Sequence, residues 1–189
     1  MYLKTPRIAA LSDAELSAEQ AGIFEEFGTR RNNVFRTMVR IPEAARAFLT
    51  WGSYVLSRRN SLSRRERELV ILRTGWLARS GYEWAQHKAI GLKSDLTEAD
   101  IEAIKRGSAD PAWSEGEKAL LDAADDLHAR QFIGEDIWMR LKAHYQERQI
   151  VDLVFTVSQY MQVSMFLNTF GVQLEEGQVL DRDFDRRNG

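Results

Sequence analysis

A signal that opens an α-helix recurs along this chain: a hydroxyl residue followed three positions on by an acid or an amide, as at Ser17 to Gln20, Ser63 to Glu66, Thr97 to Asp100 and Ser114 to Glu117. At that spacing the hydroxyl accepts from the third residue's N–H, and the third side chain accepts from the first residue's N–H. Both are donors that the first helical turn leaves open. Behind these starts the apolar residues recur at helical spacing and strand signals are weak, so the chain reads as all-α. Only three prolines occur, and Pro42 suits a first helical turn.

The predicted helices run from Ser17 to about Phe27, stopped by Gly28, and from Pro42 to about Leu56. The next runs from the Ser63 cap to Arg79 or Ser80. Gly81 then breaks the chain before a helix from Tyr82 to Ile90, ended by Gly91. Further helices follow from the Thr97 cap to Arg106, from Ser114 to about Gln131, over 135–144, and over 147–174. Residues 1–16 read as an extended arm, Arg30 to Asn33 as a polar loop, and the charged stretch after 174 as mobile or as an arm on a neighbouring subunit. A weak internal echo pairs Glu66-Arg-Glu-Leu-Val70 with Glu147-Arg-Gln-Ile-Val151, each opening a long apolar helix.

Composition excludes several function classes. Cysteine is absent, so the chain has no disulfide, no thiolate metal site and no thiol catalysis of its own. The net charge of −2 offers no basic field for nucleic acid. No unbroken run of about 18 apolar residues predicts a membrane span, and the N-terminus lacks the apolar core of a signal peptide. The expectation is a cytoplasmic protein with neither a nucleic-acid nor a membrane partner. A local basic cluster, Arg58, Arg59, Arg64 and Arg65, reads as a solvated loop and helix start, with capture of an anion as the alternative.

Chemistry concentrates between Glu68 and His87. Ser80, Glu83 and His87 are spaced i, i+3, i+7 and share one stripe of a helix, while Glu68 must reach them across a helix–helix contact. A carboxylate beside an imidazole is proton-transfer chemistry, because each partner shifts the other's pKa. The bland alternatives are a His87 that is merely a satisfied side chain, a Glu68 paired with Arg73 or Arg79, and a Glu83 that is only a helical neighbour of His87. His128 and His144 have no motif around them and read as structural. The three histidines are far apart in sequence, so no metal site is expected. Gly75, seven residues after Glu68, leaves room for another helix to approach.

The run Arg64-Arg-Glu-Arg-Glu68-Leu-Val-Ile-Leu72, then Tyr82-Glu83-Trp84-Ala-Gln-His87, then Gly91-Leu and Leu96-Thr-Glu-Ala-Asp100, resembles the carboxymuconolactone decarboxylase family, which includes the AhpD-like alkylhydroperoxidases. The resemblance covers residues 33–175. It implies an all-α, AhpD-like helical bundle that assembles as a homo-oligomer (trimer, hexamer or dimer), here with an N-terminal arm and helix over 1–32 and a charged tail over 176–189. The AhpD-like branch uses a Glu…Cys-x-x-Cys-x-x-x-His redox centre. Laid on this chain, Glu68 and His87 match its glutamate and histidine, and its two cysteines become Ser80 and Glu83. Neither can exchange a disulfide, so the family's thiol peroxidase route is closed.

What remains resembles the decarboxylase branch, which needs no cofactor. The expected catalytic residues are His87, Glu83 and Glu68. Ser80, Tyr82 and Trp84 are the expected substrate-binding residues, for a small-molecule organic acid or lactone. Loss of CO2 from such a substrate leaves a carbanion that a carbonyl must accept as an enolate, with a donor at the oxygen and an acid at carbon. The same residues can run an isomerisation or a hydration, and the sequence does not separate these. A thiol-less, non-catalytic or ligand-binding member of the fold is the competing reading.

Overall fold

In a computed structural model, residues 3–187 are described, with side chains through Phe184. Residues 1–2 and 188–189, the outer ends of the expected arm and tail, lie outside the described residues. Among the described residues the structure is all helical, with ten α-helices: α1 (Ala18–Phe27), α2 (Asn33–Met38), α3 (Pro42–Val55), α4 (Arg64–Leu77), α5 (Gly81–Gly91), α6 (Glu98–Arg106), α7 (Glu115–Arg130), α8 (Glu135–His144), α9 (Glu147–Phe170) and α10 (Arg182–Arg187). A short 3-10 turn at Gly107–Ala109 joins α6 to the loop before α7.

All four expected start signals form reciprocal caps, at Ser17, Ser63, Thr97 and Ser114. Helix α4 is the hub: every residue from Arg67 to Gly75 is buried, and it packs against α5, α7 and α9. A helix buried all round needs partners on several sides. Two cores meet along it. Leu69, Leu72, Trp84, Leu121 and Leu153 belong to one, and Ile71, Tyr82, Val34, Tyr160 and Val163 to the other. Helix α9 also feeds both, so the echo between residues 66–70 and 147–151 marks the two helices that hold the halves together.

By length and composition α9 could cross a membrane, but 56% of its apolar window is buried within the bundle. Its inward face also carries Asp152, which accepts from the Tyr54 hydroxyl (2.7 Å) and from the backbone and side chain of Ser61 (2.7 and 2.6 Å). Such a buried, hydrogen-bonded carboxylate belongs to a protein core.

Three expectations are corrected. The stretch before Pro42 contains α2, a short helix whose cap at Asn32 makes no side-chain hydrogen bond and so left no sequence signal. Helix α9 ends at Phe170 because Gly171 adopts a left-handed conformation (φ +66°), and a side chain there would collide with Leu3 and the Thr5 carbonyl. The described part of the tail packs onto the core of its own chain: Phe184 is fully buried against Trp76 and Trp84, and Lys105 holds Asp181 and Asp183 at 2.9 and 2.8 Å. Of the basic cluster, Arg65 is committed to Asp100 and Glu117, and Arg59 lies over the Tyr54 ring.

Candidate active site

The turn between α4 and α5 sets the site. Its left-handed residue is Arg79 (φ 52°), not a glycine, and the Ser80 amide bonds back to the Gly75 carbonyl at 2.9 Å. The reversal is tight, and α5 runs back along α4. The helices come close at Gly75, where a Cβ would stand 3.4 Å from the Glu83 Cβ, at van der Waals contact. Glu83 and His87, one turn apart on α5, are thereby brought over Glu68.

Glu68 Oε2 lies 2.7 Å from His87 Nδ1, and Glu83 Oε2 lies 3.5 Å from Nε2. Glu68 is 1% exposed, and Glu83 and His87 are each 6% exposed. The Tyr160 ring stands edge-on to the imidazole, with centroids 4.8 Å apart. Burial by itself would lower the His87 pKa. The charge of Glu68, the hydrogen bond to it and the charge of Glu83 outweigh that and raise it. Burial raises Glu83 above the usual carboxylate range, against the pull of His87 and with the push of Glu68. Glu68 clamps the ring through Nδ1 and favours its charged form, while burial favours the protonated form of Glu83.

Beside this cluster opens a cavity of about 380 Å3. Phe27, Phe35, Phe48 and Leu49 give it apolar walls, Glu83, His87, Gln86, Gln159 and Tyr160 line it with polar groups, and Arg30 is also among its lining residues. Glu68 sits behind the imidazole, away from the lining, and so acts by holding the ring. The volume lies at the lower end of the range for small-molecule pockets.

Of the six residues singled out in the sequence, Glu68, Glu83 and His87 come together. Tyr82 lines the cavity, but its hydroxyl donates to Glu175 at 2.6 Å and accepts from the Val34 amide at 3.4 Å, so it is occupied by the fold. Ser80 is fully buried outside the cavity lining, at the position just before α5, and its hydroxyl makes no capping bond. Trp84 turns to the opposite core, between Trp76 and Phe184. The i, i+3, i+7 stripe fails at its first member because Ser80 precedes the helix proper. Arg73 is not the partner of Glu68: it grips Asp125 with two bonds of 2.6 Å and donates to the Ile104 and Lys105 carbonyls. His128 and His144 lie in the last turns of α7 and α8. Gln159 and Tyr160 carried no motif; their only sequence signal was polar atoms on the inner face of a long apolar helix.

Residues 42–126 match the model of the carboxymuconolactone decarboxylase family. This segment is similar to that family, and the rest of the chain lies outside the match. The other similar proteins are distant. The uncharacterized protein YdfG of Bacillus subtilis (strain 168) is 25% identical over 120 residues, 62% of this chain and 80% of its own length. An alkylhydroperoxidase AhpD core, the uncharacterized peroxidase-related protein of Ralstonia eutropha JMP134, superposes with a TM-score of 0.73 at 18% identity over 94% of either chain. The debrominase Bmp8, as a cysteine-to-alanine variant in complex with 2,3,4-tribromopyrrole, gives a TM-score of 0.75 at 14% identity over 98% of this chain and 99% of its own. At these identities the likeness establishes an AhpD-like fold. This chain has no cysteine, and the carboxyl of Glu83 stands beside the imidazole where the resemblance to the AhpD-like branch places a thiol.

Proposed function

We propose that the protein is a cofactor-independent lyase or isomerase that transfers protons between His87, Glu83 and a small carboxylated lactone or related organic acid. The observation that carries this reading is the placement of His87. Glu68 fixes Nδ1 from behind, and the ring and Glu83 border an apolar cavity.

In a decarboxylation the substrate carboxylate would lie among the Phe27, Phe35 and Phe48 rings, poorly solvated, which favours its loss as neutral CO2. The C–CO2 bond breaks, and its electron pair passes into a neighbouring carbonyl as an enolate. His87 then gives its Nε2 proton to carbon, and a proton from solvent restores the imidazolium, so one proton is consumed for each CO2 released. In an isomerisation the neutral imidazole or the Glu83 carboxylate takes a proton next to the carbonyl and the pair returns it elsewhere on the ring. A protonated Glu83 lets an anionic substrate enter without facing a second negative charge, which the raised Glu83 pKa favours.

A flat one-ring molecule fits the volume, and the 2,3,4-tribromopyrrole bound by a protein of the same fold is of that kind. The reading includes a cytoplasmic setting, with neither a nucleic-acid nor a membrane partner, and self-association. Trp51 and Phe155, stacked edge to face on α3 and α9 and each 37% exposed, supply apolar surface for the last.

The test offers the purified protein a panel of carboxylated lactones and unsaturated ring acids while CO2 release and ultraviolet absorbance are followed. His87→Ala is expected to lower turnover by a factor of about 10²–10⁴ with folding retained. Turnover that is untouched by this substitution removes the reading.

A further inference from the structure

Helix α9 brings two consecutive polar residues to the cavity wall. Gln159 and Tyr160 are 4% and 5% exposed, and both line the cavity beside His87. Gln159 Oε1 is buried with no hydrogen-bond partner among the described residues. The Tyr160 hydroxyl is engaged by no described side chain or backbone group either. A buried oxygen left unpaired is costly in an interior, and a leucine and a phenylalanine would fill the same space without polar atoms. The buried Ser80 and Ser164 hydroxyls are also unpaired, but they do not line the cavity.

Both side chains are held in place. The Gln159 amide lies under α3, where a Cβ on Gly52 would stand 3.5 Å from Nε2, so the backbone closes over it at contact distance. The Tyr160 ring is fixed edge-on against the His87 imidazole. Burial first, then the charges of Glu83 and Glu68, raise the Tyr160 pKa well above its ordinary value, so its oxygen keeps a proton to donate. Tyr82, the other cavity tyrosine, spends its proton on Glu175.

We propose that Tyr160 and Gln159 form the recognition subsite for one oxygen of a flat ring substrate, with the Tyr160 hydroxyl donating to that oxygen and Gln159 Oε1 accepting from an O–H or N–H on or beside it. The ligand class is an enol, a phenol-like ring, or a ring carbonyl flanked by a hydroxyl or N–H. The inference deepens the function proposed above and rests on the same cavity. It gives the enolate a donor, because Tyr160 touches the oxygen on which negative charge develops, while His87 and Glu83 move the proton. Arranged so, the site favours a neutral donor–acceptor oxygen over a second carboxylate at this wall.

The probe is 4-nitrophenol, whose absorbance distinguishes its neutral and ionised forms and whose hydroxyl both donates and accepts. It is titrated into the full chain and into Tyr160→Phe and Gln159→Leu, with thermal unfolding of each. Saturable binding to the wild type is expected, weakened by a factor of about 5–20 in either variant, as for loss of one hydrogen bond in a dry site. Tm should be equal or higher in Gln159→Leu, which loses an unpaired buried oxygen, and little changed in Tyr160→Phe, whose hydroxyl no described group engages. Folded wild type that does not bind the probe saturably overturns the proposal. Affinity changed less than twofold by both substitutions does the same, and so does a Tm fall of several degrees in both, which would mark the two side chains as structural. The lyase reading fails separately: no turnover with the lactone panel, together with probe binding that depends on both residues, leaves the subsite standing.

Discussion

Gly75 faces Glu83 across the α4–α5 packing, where a methyl group on the glycine would lie 3.4 Å from the Glu83 Cβ. This spacing limits how bulky a side chain α4 can carry beside Glu83 and His87. That separation is ordinary van der Waals contact, so one methyl group fits and a branched side chain does not. Gly75→Ala is expected to raise stability by about 0.5–1 kcal/mol, the helical cost of glycine, with turnover retained. Gly75→Val should push α5 outward, lower stability and reduce turnover together. Urea unfolding and steady-state rates on the same samples check both. A Gly75→Ala protein less stable than wild type would show that the helices cannot yield even at this contact.

The site gives the fold a pH dependence of definite sign. His87 and Glu83 both have raised pKa values in the folded state, so the folded protein holds more protons than the unfolded chain over that range. For His87, the stabilisation is complete below pH 6.5 and is lost as pH rises through the folded value. For Glu83, the burial cost of the charged form grows as pH rises above 4.5. Carboxylates with lowered values, such as Asp100, Glu117 and Asp152, act oppositely and lose their contribution only in acid. Stability should therefore climb out of strong acid and then fall as pH rises through the range where His87 and Glu83 release protons. The double variant Glu83→Gln, His87→Gln should flatten the falling limb. Urea midpoints measured from pH 4 to pH 9 decide it, and a wild-type curve that rises throughout would contradict the raised values.

Phe184 makes the tail part of the core. The ring is fully buried, with centroids 5.2 Å from Trp76 and 5.7 Å from Trp84. Phe184→Ala should cost about 3–5 kcal/mol, the usual cost of emptying a core aromatic site. Equilibrium unfolding in urea reads this directly. A loss below about 1 kcal/mol would mean that the tail is dispensable in solution.

Phe48 and Val163 are shared between the active-site cavity and a second one of about 220 Å3, whose other walls include Met38, Ala45 and Phe166. Phe48 is half-buried, so Phe48→Ala should cost about 1–3 kcal/mol, less than a full core deletion. It should also join the two spaces. The variant is then expected to bind 2-naphthol more tightly relative to phenol than the wild type does, by a factor of about 10, in competition with 4-nitrophenol, since each buried CH2 contributes about 0.8 kcal/mol. An unchanged ratio would show that the partition lies elsewhere.

Much of this protein is local, and local features were legible. Each cap at Ser17, Ser63, Thr97 and Ser114 is a contact between residues three apart, so sequence spacing alone specifies it. The Glu83–His87 pair is likewise one helical turn, and the absence of cysteine closed the thiol route before any coordinates existed. Glu68 was reachable as a candidate, but its partner was not, because Arg73, Arg79 and His87 are all plausible until packing is known.

Only the tertiary structure decided which polar atoms share a space. Ser80, Tyr82 and Trp84 adjoin the Glu83–His87 pair in sequence, yet one is buried ahead of the helix start, one is tied to Glu175 and one faces the other core. Gln159 and Tyr160 are more than 70 residues beyond His87 and complete the cavity with it. The physical reason is range: hydrogen bonding within a helical turn is written into residue spacing, whereas the direction a side chain faces depends on which helices α4 and α9 pack against. That packing is fixed by the burial of the whole apolar surface at once.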